Sequence, residues 1–99
     1  MKVEFADPAE ESLRKIYCSY PENIANRIVE NILLRAETLS NLANRGRIVE
    51  ELRPLNQGHR FILEGNYKII YLQKDDVVYV TDVFSMRQDP DKIKIRHQE

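Results

Sequence analysis

The chain has 99 residues, of which 42% are hydrophobic and 31% charged, and its formal net charge is −1. This length suits one domain around one hydrophobic core, and the composition excludes the low hydrophobicity and high net charge of disordered chains. Because the chain has one cysteine, no secretory h-region and no apolar run near the ~20 residues that span a bilayer, we expect a single domain over residues 1–99 in a reducing cytoplasm, without membrane association.

The N-terminal region predicts a short strand followed by a helix. Residues 2–5 alternate as a strand does, and Asp7, Pro8 and Glu10 are typical of a helix start, with Asp7 as the N-cap and Pro8 at the first helical position. The apolar residues that follow have helical spacing and predict one buried stripe: Ala9, Leu13, Ile16, Tyr17 and Tyr20.

Pro21 interrupts this pattern, and a second, longer helix is predicted over residues 22–43. Its apolar residues also recur at near-helical intervals, so the two helices form a hairpin. Gly46 is expected to end the second helix, because glycine adopts the left-handed conformation most easily.

After Gly46 the pattern changes to β-branched and alternating runs, which predict four strands over residues 47–52, 59–64, 67–73 and 77–84. Gly65-Asn66 predicts a two-residue hairpin loop, and residues 74–76 predict a second turn. The expected fold is α+β: a short N-terminal strand and a two-helix hairpin packed on an antiparallel sheet of about four strands. The polar tail, residues 89–99, is expected to form a short capped helix or a loose end.

The two-residue loop also fixes the register of the hairpin, with Glu64 opposite Tyr67 and Arg60 opposite Tyr71. One face of this hairpin is apolar except for Lys68, and we expect the helices to cover that face. The mixed face, which is expected to stay open as an apolar groove, carries Arg60, Ile62, Glu64, Tyr67, Ile69 and Tyr71.

The order of these elements, together with several short motifs, resembles the RelE/ParE toxin superfamily, and the ParE-like members in particular. The motifs are Gly46-Arg47, Arg60 ahead of the hairpin, the run NYKIIY at residues 66–71, and an apolar last strand that ends in MRQDP at residues 86–90. No motif is specific alone, but their order and spacing cover nearly the whole chain. The resemblance implies a toxin of a type II toxin–antitoxin (plasmid stabilisation-like) system, which inhibits growth when free and forms a complex with a small cognate antitoxin.

The resemblance leaves the mechanism open. ParE-like members poison DNA gyrase, whereas RelE-like members cut messenger RNA on the ribosome with a cluster of basic residues and a C-terminal tyrosine or a His/Glu pair. In this chain the tail after Arg87 has no tyrosine, and the net charge gives little sequence-independent affinity for nucleic acid. We therefore expect a ParE-like toxin that binds a macromolecule such as gyrase; the alternatives are an mRNA endonuclease and a family member without toxicity.

Candidate residues follow from the same comparison. The weak catalytic candidates are Arg60, Arg87, His59 and Lys68, and His59 and His97 are expected to be exposed polar residues. No metal or cofactor motif occurs in the sequence, so neither is expected. A homodimer is a further possibility, and an acidic amphipathic antitoxin segment would suit the later basic residues. The expected binding residues are Arg47, Arg60, Tyr67, Lys68, Tyr71 and Arg87.

Overall fold

The computed structural model describes residues 1–97, which form a five-stranded mixed sheet with helices on both faces. The strand order is β1-β5-β4-β3-β2; β1 runs parallel to β5, and the other neighbours are antiparallel. The elements are β1 (Lys2–Phe5), α1 (Asp7–Ser19), α2 (Glu22–Glu37), the one-turn α3 (Leu39–Leu42), β2 (Arg47–Ile48), a 3₁₀ helix (Glu50–Leu55), β3 (Arg60–Glu64), β4 (Tyr67–Lys74), β5 (Val77–Ser85) and α4 (Asp91–His97). None of the described helices is long and apolar enough to cross a membrane.

The α+β class, the N-terminal strand and the hairpin of α1 and α2 are confirmed. The predicted N-cap of α1 is wrong by one residue: Ala6 is the cap, and Asp7 is the first helical residue. The carbonyl oxygen of Ala6 accepts hydrogen bonds from the backbone N–H groups of Ala9 and Glu10, so the helix begins without a side-chain cap.

The second helix is shorter than predicted and is continued by two short segments. It ends at Glu37, and Thr38 separates it from α3, which leads into a 3₁₀ turn at Ala43–Arg45. The expected left-handed glycine is also wrong, because Gly46 has φ −68°. What requires glycine here is space: a Cβ atom would lie 2.1 Å from the hydroxyl oxygen of Tyr71.

The prediction of a strand over residues 47–52 is only partly correct. The strand β2 ends at Ile48, and the chain then curls into the 3₁₀ helix Glu50–Leu55. Pro54 explains part of this difference, since proline has no N–H group to donate to a neighbouring strand. In this 3₁₀ helix the side chain of Leu52 is fully buried.

The antiparallel meander of β3, β4 and β5 is confirmed in its loops and its register. Glu64 pairs with Tyr67 and Arg60 with Tyr71, and Gly65 has the positive φ of 56° that suits a tight hairpin. In β5, Thr81 has no partner in the register because a bulge separates the pairs on either side of it. The parallel pairing of β1 was not predicted and makes the sheet mixed, with five strands instead of four.

The assignment of the sheet faces is wrong. The α1–α2 hairpin covers the face that carries Ile62, Ile69 and Tyr71, and Ile69 and Tyr71 are fully buried there. The apolar residues that β1 and β5 add to this face decide the outcome, because they make it the larger apolar surface. These residues are Val3, Phe5, Val78, Val80 and Val83. The predicted open groove on this face therefore does not exist.

The opposite face of the sheet has a second, smaller core. The 3₁₀ helix and α4 cover Ile70 and Phe84 with Leu52 and Ile93. Of the two alternatives for the tail, the short helix is the one observed, as α4 over Asp91–His97. Residues 98 and 99 of that tail lie outside the described residues.

Candidate functional site

Three of the predicted binding residues meet in one open cleft at the β2 edge of the sheet. Arg47, Arg60 and Lys68 line this cleft, which has a volume of about 580 Å³ and which we call the basic cleft. Arg53 also lines it, but its guanidinium is paired with Glu50 at 2.8 Å. The remaining cations can attract an acidic group of a partner.

The cations of the basic cleft are held to different degrees. Arg60 donates a hydrogen bond from Nη1 to the carbonyl oxygen of Gly46 at 2.7 Å, so part of its function is to fix the turn before β2. The ammonium of Lys68 lies 4.7 Å from the centre of the Phe61 ring, a cation–π contact. Arg47 is exposed and carries no ion pair among the described residues, which leaves it the freest of the three.

Tyr71 is a structural residue in this conformation, contrary to the prediction that it lies on an open face. Its buried hydroxyl donates to the carbonyl oxygen of Ala43 and accepts a hydrogen bond of 3.1 Å from the N–H of Gly46. Burial raises the pKa of this phenol above its ordinary value, so the hydroxyl keeps its proton. The side chain thereby joins β4 to the segment between α3 and β2.

His59 and His97 are not exposed polar residues, which corrects a second prediction. His59 is only 4% exposed, and the two rings meet edge to face with centroids 5.3 Å apart. Burial, with a smaller effect from the neighbouring His97, lowers the pKa of His59 to about 4. Nδ1 of His59 is buried without a hydrogen-bond partner among the described residues.

His97 links α4 to the sheet. Its Nδ1 lies 2.8 Å from the carbonyl oxygen of Ile93, and its Nε2 lies 2.9 Å from the hydroxyl of Thr81. A carbonyl oxygen can only accept, so Nδ1 carries a proton. The two histidines therefore help to pack α4 on the sheet.

Tyr67 and Arg87 lie away from the basic cleft. Tyr67 is half-buried on the helix-covered face, and burial, assisted by the hydroxyl of Tyr20, raises its pKa to about 12. The charge of Arg87 is close enough to oppose this rise in the pKa of Tyr67. Apart from the buried Tyr71, the structure thus separates the predicted binding residues into two groups, Arg47, Arg60 and Lys68 in one place and Tyr67 and Arg87 in another.

A buried polar group that the sequence reasoning missed connects α1, β5 and α4. Asp82 is fully buried, and its Oδ1 accepts hydrogen bonds from the Ser12 hydroxyl at 2.8 Å and from Nη2 of Arg96 at 2.7 Å. The signal in the sequence was an aspartate inside the apolar run of β5, since a buried carboxylate needs partners. The partners themselves, 70 residues before and 14 residues after it, could not be read from the sequence.

A further surface feature is an apolar groove between the edge strand β1 and helix α2, which we call the edge groove. It has a volume of about 640 Å³. Leu33 and Leu34 on α2 are 42% and 58% exposed, which is unusual for leucine beside a groove of this size. The other apolar residues that line it are Met1, Val3, Phe5 and Ala36.

These features define a class of protein: a small α+β domain whose helical hairpin covers one face of a mixed sheet, with an apolar groove along one sheet edge and a basic cleft along the other. The family model of the ParE toxin of the type II toxin–antitoxin system parDE matches residues 3–90. The chain belongs to this ParE toxin family.

A solved structure supports the fold assignment. The chain is similar to a protein of the chromosomal ParDE toxin–antitoxin system from P. aeruginosa, with a TM-score of 0.72 and 18% sequence identity over 86% of this chain and 95% of the other. At this identity the likeness concerns the fold. Among curated proteins, no sequence matches significantly.

Proposed function

We propose that this chain is a toxin that acts in the cytoplasm by binding DNA gyrase and that a cognate antitoxin neutralises it. Family membership supports the toxin role. The observation that favours binding over RNA cleavage is the burial of His59. A general acid or base must reach the proton that it transfers, and His59 is 4% exposed with its pKa lowered to about 4.

The alternative, a ribosome-dependent mRNA endonuclease, has one observation in its favour. The basic cleft groups Arg47, Arg60 and Lys68, and such a cluster can hold phosphate groups. Proton transfer typically contributes ~10²–10⁴-fold to the rate of such a reaction. Among the described residues that line it, this cleft contains no histidine, and its two carboxylates are Glu50, which is paired with Arg53, and Glu51.

Two assays in parallel distinguish these functions. The purified chain is added to a DNA gyrase supercoiling reaction and, separately, to a translating ribosome system in which cut messages are detected by primer extension. We expect inhibition of supercoiling with intact messages. Codon-positioned cuts that disappear in Arg47→Ala, a substitution of an exposed arginine of the basic cleft, would establish the endonuclease instead, and no effect in either assay would indicate a family member without toxicity.

We propose the edge groove as the place where an apolar segment of the antitoxin docks. Apolar surface in contact with water is contributed here by Leu33, Leu34 and Met1. Burial of such surface stabilises a complex by about 25 cal/mol per Å². The adjoining strand β1 is an edge of the sheet, so its outer backbone groups can pair with an added strand. Apolar side chains of the antitoxin would pack on the leucines, and its backbone would form hydrogen bonds with β1.

Leu34→Glu tests this docking site with the protein encoded by the adjacent open reading frame as the partner. We expect a loss of affinity of about 100-fold, since a hot-spot leucine contributes ~2 kcal/mol or more and the glutamate adds a desolvation cost. Ile95→Glu is the matched control, because Ile95 on α4 is 65% exposed and lies outside the groove. Equal binding by Leu34→Glu and wild type, measured by isothermal titration calorimetry, would exclude the edge groove.

A further inference from the structure

A second polar cleft lies where α1, the end of β5 and α4 meet. Its volume is about 410 Å³, and we call it the hydroxyl cleft. Its floor is apolar, with Ile16 and Val83. The polar side chains that matter for the argument are Ser12, Lys15, Tyr20, Tyr67, Gln88 and Arg96.

The described residues that line the hydroxyl cleft include two cations, five hydroxyl groups and one amide, but no carboxylate. This is a biased set, because acidic residues slightly outnumber basic residues in the chain as a whole, 16 to 15. Ammonium, guanidinium and hydroxyl groups share the ability to donate hydrogen bonds to anionic oxygen atoms. The cleft therefore groups several hydrogen-bond donors around one partly open volume.

Arg96 is held in place before any ligand arrives. Its Nη2 donates to Asp82 Oδ1 at 2.7 Å and to the Ser12 hydroxyl at 2.6 Å, and its guanidinium lies 5.6 Å from the centre of the Phe84 ring. In the described chain these hydrogen bonds use Nη2 alone, so Nε and Nη1 keep their donors. A fixed guanidinium loses little freedom when it binds, which favours affinity.

The charge balance also favours an anion. Lys15 and Arg96 contribute two positive charges and the buried Asp82, which is paired with Arg96, one negative charge. The charge of Arg87, which is not among the residues that line the cleft, also acts on Tyr67. Tyr67 keeps its proton at neutral pH, and because its hydroxyl is hydrogen-bonded to that of Tyr20, which lines the same cleft, the pair of phenols retains one O–H group to donate. A carboxylate offers two oxygen atoms, whereas a phosphate group offers at least three to donors arranged on several sides.

We infer that the hydroxyl cleft is a binding site for a phosphate group, with Lys15, Tyr67 and Arg96 as its principal donors. The inference depends on this cleft alone and is independent of the action on gyrase and of the antitoxin. Free phosphate and the phosphate of a nucleotide share this chemistry, and the experiment distinguishes them.

The test is an NMR titration of the full chain with inorganic phosphate at constant ionic strength, made up with sodium chloride. We expect saturable shifts of the amide signals of residues 12–20 and of the Arg96 side chain. Lys15→Ala and Tyr67→Phe are each expected to weaken binding about tenfold, because a hydrogen bond to a charged group is worth ~1.5 kcal/mol or more. Lys15 is exposed, so its removal leaves the fold intact.

The matched control is Lys74→Ala, which replaces an exposed lysine at the end of β4 and should bind phosphate like the wild type. A parallel titration with a nucleoside 5′-monophosphate identifies the source: equal affinity indicates that the phosphate alone is recognised, and tighter binding indicates a nucleotide. Three results would overturn the inference: no saturable shift, equal shifts with acetate, or equal phosphate binding by Lys15→Ala, Tyr67→Phe and the wild type.

Discussion

At the scale of single residues, Gly46 is required by the approach of a hydroxyl group and not by its own torsion angles. Its φ of −68° is open to any amino acid, but a Cβ atom would lie 2.1 Å from Tyr71 Oη and 3.0 Å from the carbonyl oxygen of Phe61. The glycine of the Gly46-Arg47 motif thus has a packing explanation: it admits Tyr71, and Arg60 then donates a hydrogen bond to the Gly46 carbonyl oxygen. Gly46, Arg60 and Tyr71 together fix one turn of the chain.

This coupling predicts a non-additive mutant cycle. Tyr71→Phe leaves the Ala43 carbonyl oxygen and the Gly46 N–H without their partner and should cost about 1–3 kcal/mol in the free energy of unfolding. Gly46→Ala should cost a similar amount because its methyl group meets the hydroxyl. Urea unfolding of the double variant should show a cost below the sum, since removal of the hydroxyl relieves the closest contact of the methyl and leaves those with Cζ of residue 71 at 2.9 Å and with the carbonyl oxygen of Phe61 at 3.0 Å. Strict additivity would contradict the account.

His59 predicts a stability that depends on pH. The pKa of the His59 ring is about 4 in the folded chain, against 6.5 for an exposed histidine in the unfolded chain. As the pH falls, the unfolded state therefore binds the proton first. The stabilisation is therefore complete above pH 6.5 and is lost between pH 6.5 and 4. His59→Phe keeps an aromatic ring without the proton site, and its melting temperature should fall less than that of the wild type between pH 6.5 and 5. Parallel curves for the two proteins would refute this assignment.

At the scale of elements, α4 is fixed by few but strong contacts. It has seven residues, a length at which an isolated helix is unstable in water. Ile93 is fully buried in the smaller core, and Arg96 joins the helix to the buried Asp82. These tertiary contacts explain why a polar tail that looked ambiguous in sequence forms a helix, and α4 in turn covers His59 and Leu52.

The ion pair of Arg96 gives the prediction at this scale. Arg96→Met retains most of the apolar stem but leaves the carboxylate of Asp82 buried without its cation, and we expect a loss of about 3 kcal/mol in the free energy of unfolding. Lys94→Met is the control, because Lys94 is exposed on the same helix and should change stability by less than about 0.5 kcal/mol. Urea unfolding measures both variants, and equal effects would show that the pair is not a principal anchor.

At the scale of the whole molecule, the two edges of the sheet have different characters. The β1 edge adjoins the apolar edge groove, whose rim carries Glu30 and Glu37, and the β2 edge adjoins the basic cleft. A net charge of −1 conceals this separation. A partner that wraps the toxin would meet an apolar surface at one edge and positive charge at the other.

This separation predicts that the two edges affect different rate constants of antitoxin binding. Arg47→Glu in the basic cleft should slow association about tenfold at low salt and weaken its salt dependence, because exposed charges act mainly by steering the encounter. Leu34→Glu should mainly speed dissociation. Surface plasmon resonance at 50 and 500 mM salt measures both; an association rate of the wild type that is independent of salt would contradict an electrostatic contribution of the basic cleft.

The sequence alone determined the class of fold, the order of its elements and the hairpin register, because helical and alternating periodicities and the Gly65-Asn66 loop are local signals. It also carried the resemblance that the ParE family match bears out. The tertiary structure decided which face the helices cover, since that choice depends on Phe5 of β1, which lies far in sequence from the hairpin of β3 and β4, together with Val78 and Val80 of β5. It likewise decided the burial of His59 and the hydrogen bonds among Ser12, Asp82 and Arg96. Such contacts join residues up to 84 positions apart, so they produce no local or periodic pattern in the sequence.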